Sequence, residues 1–453
     1  MSRVRDSSPT ATTHPVRRRW SPHRGGMLLA AAAGLMTTCF GWNEYCVRRA
    51  RQHLERRDYE AAESALAGAV LLGRRGELSL LRAKLARKEL VLREANRQVD
   101  LAAAHGVDDL RIRKERWLIQ AQAGRLSEVE PALRRWLMEV EPEEGPDLCE
   151  AYANGLFVSG RAADAFVLIE AWQLQHPRDP QPKVMLGRWL EAQLQEREAE
   201  QQYLAALAVQ PRNAVAAYAL GRILLNRNEH EAARRRYSDA AESLLANAAP
   251  RLGIARCLMS TGSLDQALVI LEDLNRLSDD DVRRSFALVQ DPDPTRPISR
   301  YLGEALANQG DYERALPHLE RALEVEPHQP ALRYLKAQAL RSTGDTEAAK
   351  ALFTAIAKDR EAMQIADRLV DEIAKSPDEP QIETRFQIAE CFYLHDSKRR
   401  AEYWYKGVLQ HDPQHAAAHA RLAEYYALRA KTDPDYEAAA EHHRVQSSLA
   451  SGD

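Results

Sequence analysis

Residue types that could do chemistry are few in this chain and poorly spaced for it. His411, His415 and His419 recur every four residues, a spacing that suits metal ligands on one helix face, but His411 and His415 flank Pro413 in a turn. Only His415 and His419 can share a face, and no carboxylate or thiol completes a set. His442 and His443 are adjacent and cannot both turn easily toward one ion. Cys39, Cys46, Cys149, Cys257 and Cys391 are odd in number and include no CxxC, which excludes a zinc ribbon, a thioredoxin-type redox pair and a disulfide framework. No GxSxG, HExxH or phosphate-binding glycine loop occurs. The expectation is a chain without a catalytic residue, a metal or another cofactor, and without a small-molecule substrate.

Composition narrows the classes further. Lys and Arg number 63 against 66 Asp and Glu, a formal charge of −3, so no basic face large enough for nucleic acid is expected. Aromatic residues make up only 6% of a chain that is 45% apolar, so small side chains must do the packing. At 453 residues a single round core is excluded; the length suits several domains or one elongated array.

The elements that must carry these residues begin with an uncharged stretch from Gly25 to Asn43. As a helix its 19 residues would span roughly 28 Å, close to the hydrocarbon thickness of a bilayer. Residues 25–43 are therefore expected to form a transmembrane helix, with Trp20, Trp42 and Tyr45 as interfacial anchors. Arginines lie on both sides. The cluster Arg17 to Arg19, with Arg24, favours a cytoplasmic amino terminus, residues 1–24 forming a disordered basic tail. The remainder would lie in the periplasm, anchored once in the inner membrane. The alternative is a cleaved signal peptide or an acylated Cys39; no A-x-A site closes the run, and Thr38 stands where Gly or Ala is usual.

Beyond residue 43 the sequence repeats itself every 34 residues. From Pro180, positions 7, 8, 11, 20, 24, 27 and 32 hold Leu186, Gly187, Leu190, Ala199, Tyr203, Ala206 and Pro211. From Arg296 the same places hold Leu302, Gly303, Leu306, Ala315, Leu319, Ala322 and Pro327. Units can be placed from Asn43, Gly76, Leu110, Pro146, Pro180, Ala214, Ala248, Arg296, Pro330, Ile382 and Ala416. Position 8 is small in all but the unit from Leu110, where it is Trp117, and position 20 is Ala in all but that unit, where it is Val129. Ala439 completes the series after a short insertion near Lys431 to Pro434. A small residue lets antiparallel helices approach closely, while Gly124, Gly160, Gly262, Gly310 and Gly344 at position 15 suit the turn between them. Cys257 and Cys391, both at position 10, are expected in the core.

This pattern resembles the tetratricopeptide repeat, which implies an all-α solenoid of helix pairs wound into a right-handed superhelix. The array is expected over 44–281, as about seven units, then a pair over 296–363 and a last pair over 382–453. An acidic, Pro-rich segment over 282–295, the later part of a departure beginning at Asp279, and a helical one over 364–381 are expected as surface insertions. In such arrays positions 2, 5, 9 and 12 of each first helix face a concave groove. Position 9 is Arg188, Arg222 and Arg256 in three successive units and then Glu304, Gln338, Glu390 and Glu424. Position 5 gives Val184, Tyr218, Leu252, Tyr334 and Phe386, an apolar lining suited to a peptide or partner helix. The resemblance thus implies protein or peptide partners in the groove and a membrane contact through the amino-terminal helix. The function expected is a non-catalytic, membrane-tethered scaffold at the bacterial cell envelope. The alternative is an accessory subunit of an envelope-polymer synthesis, secretion or assembly machine whose catalytic component is a separate chain.

Overall fold

The computed structural model describes residues 41–55, 57–69, 75–291, 298–376, 379–431 and 436–451. Among them there are 23 helices and no strand. They fall into two compact units, Met1–Pro211 and Arg212–Asp453.

The first unit holds five helix pairs: α1 (41–55) with α2 (Tyr59–Ala67), α3 (Arg75–Lys88) with α4 (Leu92–Ala104), α5 (Asp109–Gln122) with α6 (Leu126–Met138), α7 (Gly145–Val158) with α8 (Ala162–Gln175), and α9 (Gln181–Ala192) with α10 (Glu196–Val209). The second unit begins with α11 (Ala214–Asn226), α12 (His230–Glu242), α13 (Ala248–Ser260), α14 (Leu264–Leu274) and α15 (Asp279–Leu288). It continues through α16 (Ile298–Gln309), α17 (Tyr312–Val325), α18 (Pro330–Ser342) and α19 (Thr346–Lys375) to α20 (Ile382–His395), α21 (Lys398–His411), α22 (Ala416–Ala430) and α23 (Glu437–Ser451). Within each unit most successive helices pack side by side, but α15 packs on α13 and leaves α14 to pack on α16; first helices of neighbouring repeats also touch, α3 on α5 and α5 on α7, then α11 on α13 and α16 on α18. This is the neighbour-to-neighbour burial of a repeat array.

The seams are built from the small residues the period marks. Ala83, Ala153, Ala165 and Ala199 in the first unit, and Ala233, Ala255, Ala315, Ala337, Ala389 and Ala401 in the second, are fully buried. At two of the glycines a ring fills the space, whereas at Gly303 it is Leu319: a Cβ on Gly187 would lie 2.7 Å from the Tyr203 ring. Tyr237 is held from two sides, since a Cβ on Gly221 would come within 2.9 Å of its ring and one on Gly253 within 2.6 Å. Neither glycine can be replaced without moving the tyrosine.

Position 15 adopts positive φ wherever the helices need a left-handed turn. Gly124, Gly160, Gly262, Gly310 and Gly344 do so at φ between 73° and 99°, and Arg57, Leu90, Leu194 and Asn228 do so at the same repeat position without being Gly. Side chains then start several of the following helices: Asp58, Asp311 and Asp345 each accept from a backbone N–H three residues on.

Several expectations are corrected here. The unit from Leu110 falls on schedule: Trp117 is half-buried against Trp136, with ring centroids 6.4 Å apart, and Val129 is buried. The first part of the acidic segment expected at the surface folds into α15, which packs on α13 and buries Ser285, Phe286 and Leu288; residues 292–295 lie outside the described residues. The helical insertion is not a separate piece but the second half of α19, 30 residues without a break, whose Ala366 and Ile373 join the core formed by α20, α21 and α22. In α23 it is Ala440 that is buried while Ala439 is only partly covered, a slip of one residue from the expected register. The expected basic tail over 1–24 and residues 25–40 of the expected transmembrane helix lie outside the described residues; 41–43 belong to α1. Among the described residues no helix is long and apolar enough to cross a membrane.

Candidate protein-binding surface

In the second unit, the first helices place position 5 differently from one repeat to the next. Tyr218 and Leu252 are buried, and so is Val184 in the first unit, so these three do not line an open groove. For Tyr218 the cause is α15 and the residues after it: the Tyr218 hydroxyl donates to Asp291 Oδ2 at 2.6 Å, both side chains being buried. Val184 and Leu252 are short aliphatic chains taken into the packing around α9 and α13. Tyr334 stays 49% exposed, edge-on to Phe353, and Phe386 is half-buried between Tyr405 and His415.

Position 9 keeps part of its surface in solvent. Arg188 in the first unit, and Arg222 and Arg256 in the second, are all half-buried. Arg256 lies over the Tyr301 ring at 5.4 Å, and Arg300 lies 5.6 Å from the same ring. Arg300 also donates to Glu304 at 3.1 Å and to Glu326 at 2.7 Å. Burial raises the Glu304 carboxyl pKa, and Arg300 offsets only part of that. Farther along, Arg421 donates to both Glu390 oxygens at 2.9 Å and to Glu424 at 3.1 Å. Glu390 also accepts from Tyr405 and Glu424 from Tyr393. Burial, then the bond to Glu424, pushes the Tyr393 hydroxyl up to about 12. The acidic residues at position 9 are thus engaged by the chain's own arginines and tyrosines.

The first unit shows a feature the sequence reading missed. Arg87, with no exposed side-chain surface, donates to Glu115 at 2.6 Å and to Asp147 at 3.3 Å. Lys88 donates to Glu150 at 2.6 Å and also pairs with Asp147. Arg57 reaches Glu150 at 2.7 Å and Asp179 at 3.6 Å, and Gln181 donates to the other Glu150 oxygen at 2.8 Å. Burial would raise the Glu150 carboxyl, but Arg57 and Lys88 outweigh it and hold it at about 2; burial would likewise raise Asp147, but Lys88 and Arg87 put it well below its ordinary value. Arg87, Asp147 and Glu150 occupy positions 12, 2 and 5. In the repeats from Gly76 and Pro146 the face implied for a partner is filled by the chain's own ions. The signal was present in Glu150, a carboxylate at a position that is apolar in the units used to define the lining.

The histidines come together in another way than spacing suggests. His415 caps α22, its Nδ1 accepting from the Ala418 N–H at 3.2 Å, and His411 is exposed. His419 is buried; with Nε2 donating to the Pro413 carbonyl at 3.1 Å, its Nδ1 accepts from the His443 Nδ1–H at 2.8 Å. Burial, then His419 and His442, pull the His443 pKa down to about 4. Among the described residues no group of three or more His, Cys, Asp or Glu is placed to hold a metal ion. Cys149 and Cys257 are buried thiols, pushed up to about 12 and about 11 by burial.

Comparison with known proteins adds a family likeness over part of the chain. Sequence models described as tetratricopeptide repeat match residues 184–243, 218–274 and 306–366. No curated protein is matched by the sequence. Among solved structures, the chain is similar to YrrB, a protein with an unusual peptide-binding site, at 17% identity over 48% of this chain and 95% of that chain, with a TM-score of 0.28. It is similar to pilF of Pseudomonas aeruginosa at 16% identity, 47% and 90% coverage and a TM-score of 0.38. It is also similar to the Cut9-Hcn1 hetero-tetramer of the APC/C, at 17% identity, 82% and 68% coverage and a TM-score of 0.41.

Proposed function

We propose, from the premise that the chain belongs to the tetratricopeptide-repeat family, that it is a non-catalytic scaffold holding protein segments at a bacterial cell envelope, tethered by residues 25–43. Repeats of this family imply a protein-protein interaction scaffold. The observation that carries the finer reading is the exposure of position 9: Arg188 in the first unit, and Arg222 and Arg256 in the second, each keep accessible surface. Guanidinium groups partly in solvent favour a partner that brings carboxylates. Supporting the tether is the uncharged run from Gly25 to Asn43, long enough to cross a bilayer.

Two experiments test this. Replacing Arg188, Arg222 and Arg256 together by Glu should abolish recovery of envelope proteins in a pull-down from detergent extracts; unchanged recovery refutes the binding face. For the tether, the full chain should stay in the membrane pellet through alkaline carbonate washing and leave it when residues 25–40 are deleted. Protease added to spheroplasts should then cleave the repeats, placing them in the periplasm.

A further inference from the structure

We propose that the segment from Ser278 to Asp291 is a tethered stand-in for an external ligand, and that the face it covers takes a protein segment carrying an aromatic side chain five residues before a carboxylate. The proposal rests on the reading that first-helix faces of this chain bind protein segments. It names the chemistry of one such segment.

The segment breaks the 34-residue period, so the repeats do not need it for their own register. The segment is exposed at one end and buried at the other. Asp279, Asp280 and Asp281 in the first turn of α15 are exposed, whereas Ser285, Phe286 and Leu288 at its end, and Val289 and Asp291 just after it, are buried. The buried end meets two successive repeats at the positions implied for a partner. At position 2 of the repeat from Ala248, the Ser285 hydroxyl accepts from the Ala249 N–H at 2.9 Å and donates to the Ala246 carbonyl at 2.8 Å. At position 5 of the repeat before it, the Tyr218 hydroxyl donates to the Asp291 carboxylate at 2.6 Å. These are a hydroxyl on a helix start, a ring in an apolar seat and a carboxylate on a tyrosine. None of them depends on the segment being covalently joined to the repeats, so a partner offering the same groups competes for the same places. The tether gives the chain's own copy a high effective concentration, so an outside ligand must be strong or the latch must be weakened.

A fluorescent synthetic peptide with the sequence of residues 278–291, titrated into the full chain, tests this. Wild type should bind it weakly. Asp291→Ala, which removes the inner carboxylate and leaves Tyr218 in place, should bind about tenfold tighter, the scale of one hydrogen bond to a charged group. Adding Tyr218→Phe to that variant should erase the gain. Equal binding by wild type and Asp291→Ala, or none by either, overturns the proposal and makes α15 an integral part of the fold. If Asp291→Ala does not fold, by loss of helical circular dichroism, Tyr218→Phe alone decides. It should speed amide exchange over residues 279–289 while leaving α13 unchanged, and unchanged exchange overturns the proposal. The arginine reversal reads envelope partners and this titration reads only the chain's own segment, so each reading can fail alone.

Discussion

Leu194 sits at φ 61° in the turn between α9 and α10, with 88% of its surface in water. A left-handed conformation costs an L-residue about 1–2 kcal/mol, part of which Gly returns to the unfolded chain as entropy. Leu194→Gly should therefore raise stability by up to about 1 kcal/mol in denaturant unfolding. Glu150 is the opposite case. Glu150→Gln keeps the shape but takes from Arg57 and Lys88 their shared carboxylate, leaving them Asp179 and Asp147, and the loss should be about 2–3 kcal/mol. A loss under about 1 kcal/mol would show that water already compensates these charges. The sequence made part of this legible. Glycines at position 15 mark the turns openly, but Arg57, Leu90 and Leu194 adopt the same backbone with no compositional sign. Glu150 is a charged residue like any other until Arg57, Lys88 and Gln181, each from a different part of the chain, converge on it.

Among elements, the α22 and α23 pair closes over the His419 and His443 contact, faced also by His442, Lys406 and Tyr426. His443 is held neutral in the fold to about pH 4, against an ordinary value of 6.5. Above pH 6.5 both states are neutral and its contribution is fully present. As pH falls from 6.5 toward 4 the unfolded chain takes up a proton that the folded one refuses, and stability declines. The ring is partly in water, so the loss should be only on the order of 1 kcal/mol. Thermal unfolding at pH 7.5 and 4.5 should show a smaller difference in His443→Gln than in wild type. At the seam of α11, α12 and α13, Gly253→Ala should cost about 1–3 kcal/mol because its Cβ meets the Tyr237 ring. Tyr237→Leu in the same chain should make that second change cheaper. Element boundaries were largely readable, because unit starts such as Ala214, Ala248, Pro330, Ile382 and Ala416 coincide with helix starts. The two insertions were not, since composition shows that a segment is acidic but not which of its few apolar residues find a seat.

At the scale of the molecule, one rule of burial serves every repeat, which is why a period in the sequence sufficed to give the fold class. The same rule says little about binding, because repeat positions specify packing first. Of the residues chosen for the groove, Val184, Tyr218 and Leu252 turned out buried, while the arginines and Tyr334 kept accessible surface. Stability should also be graded along the second unit. Ala440 is the buried residue of α23, whereas α16 buries Ile298, Tyr301, Leu302 and Leu306 among others. Amides of α23 should therefore exchange faster with deuterium than those of α16, and equal protection would argue for a single cooperative block.

Tyr237, clasped by Gly221 of its own repeat and Gly253 of the next, carries a consequence for how such a chain can change over generations. Arrays of this kind can grow or shrink by exchanging whole modules, but a crossover between these two repeats would deliver the ring to a neighbour with a side chain, such as Met185, Ala219 or Tyr301, where Gly253 has none. The ring and its two glycines work as one joint, so a module swapped in at this place needs both.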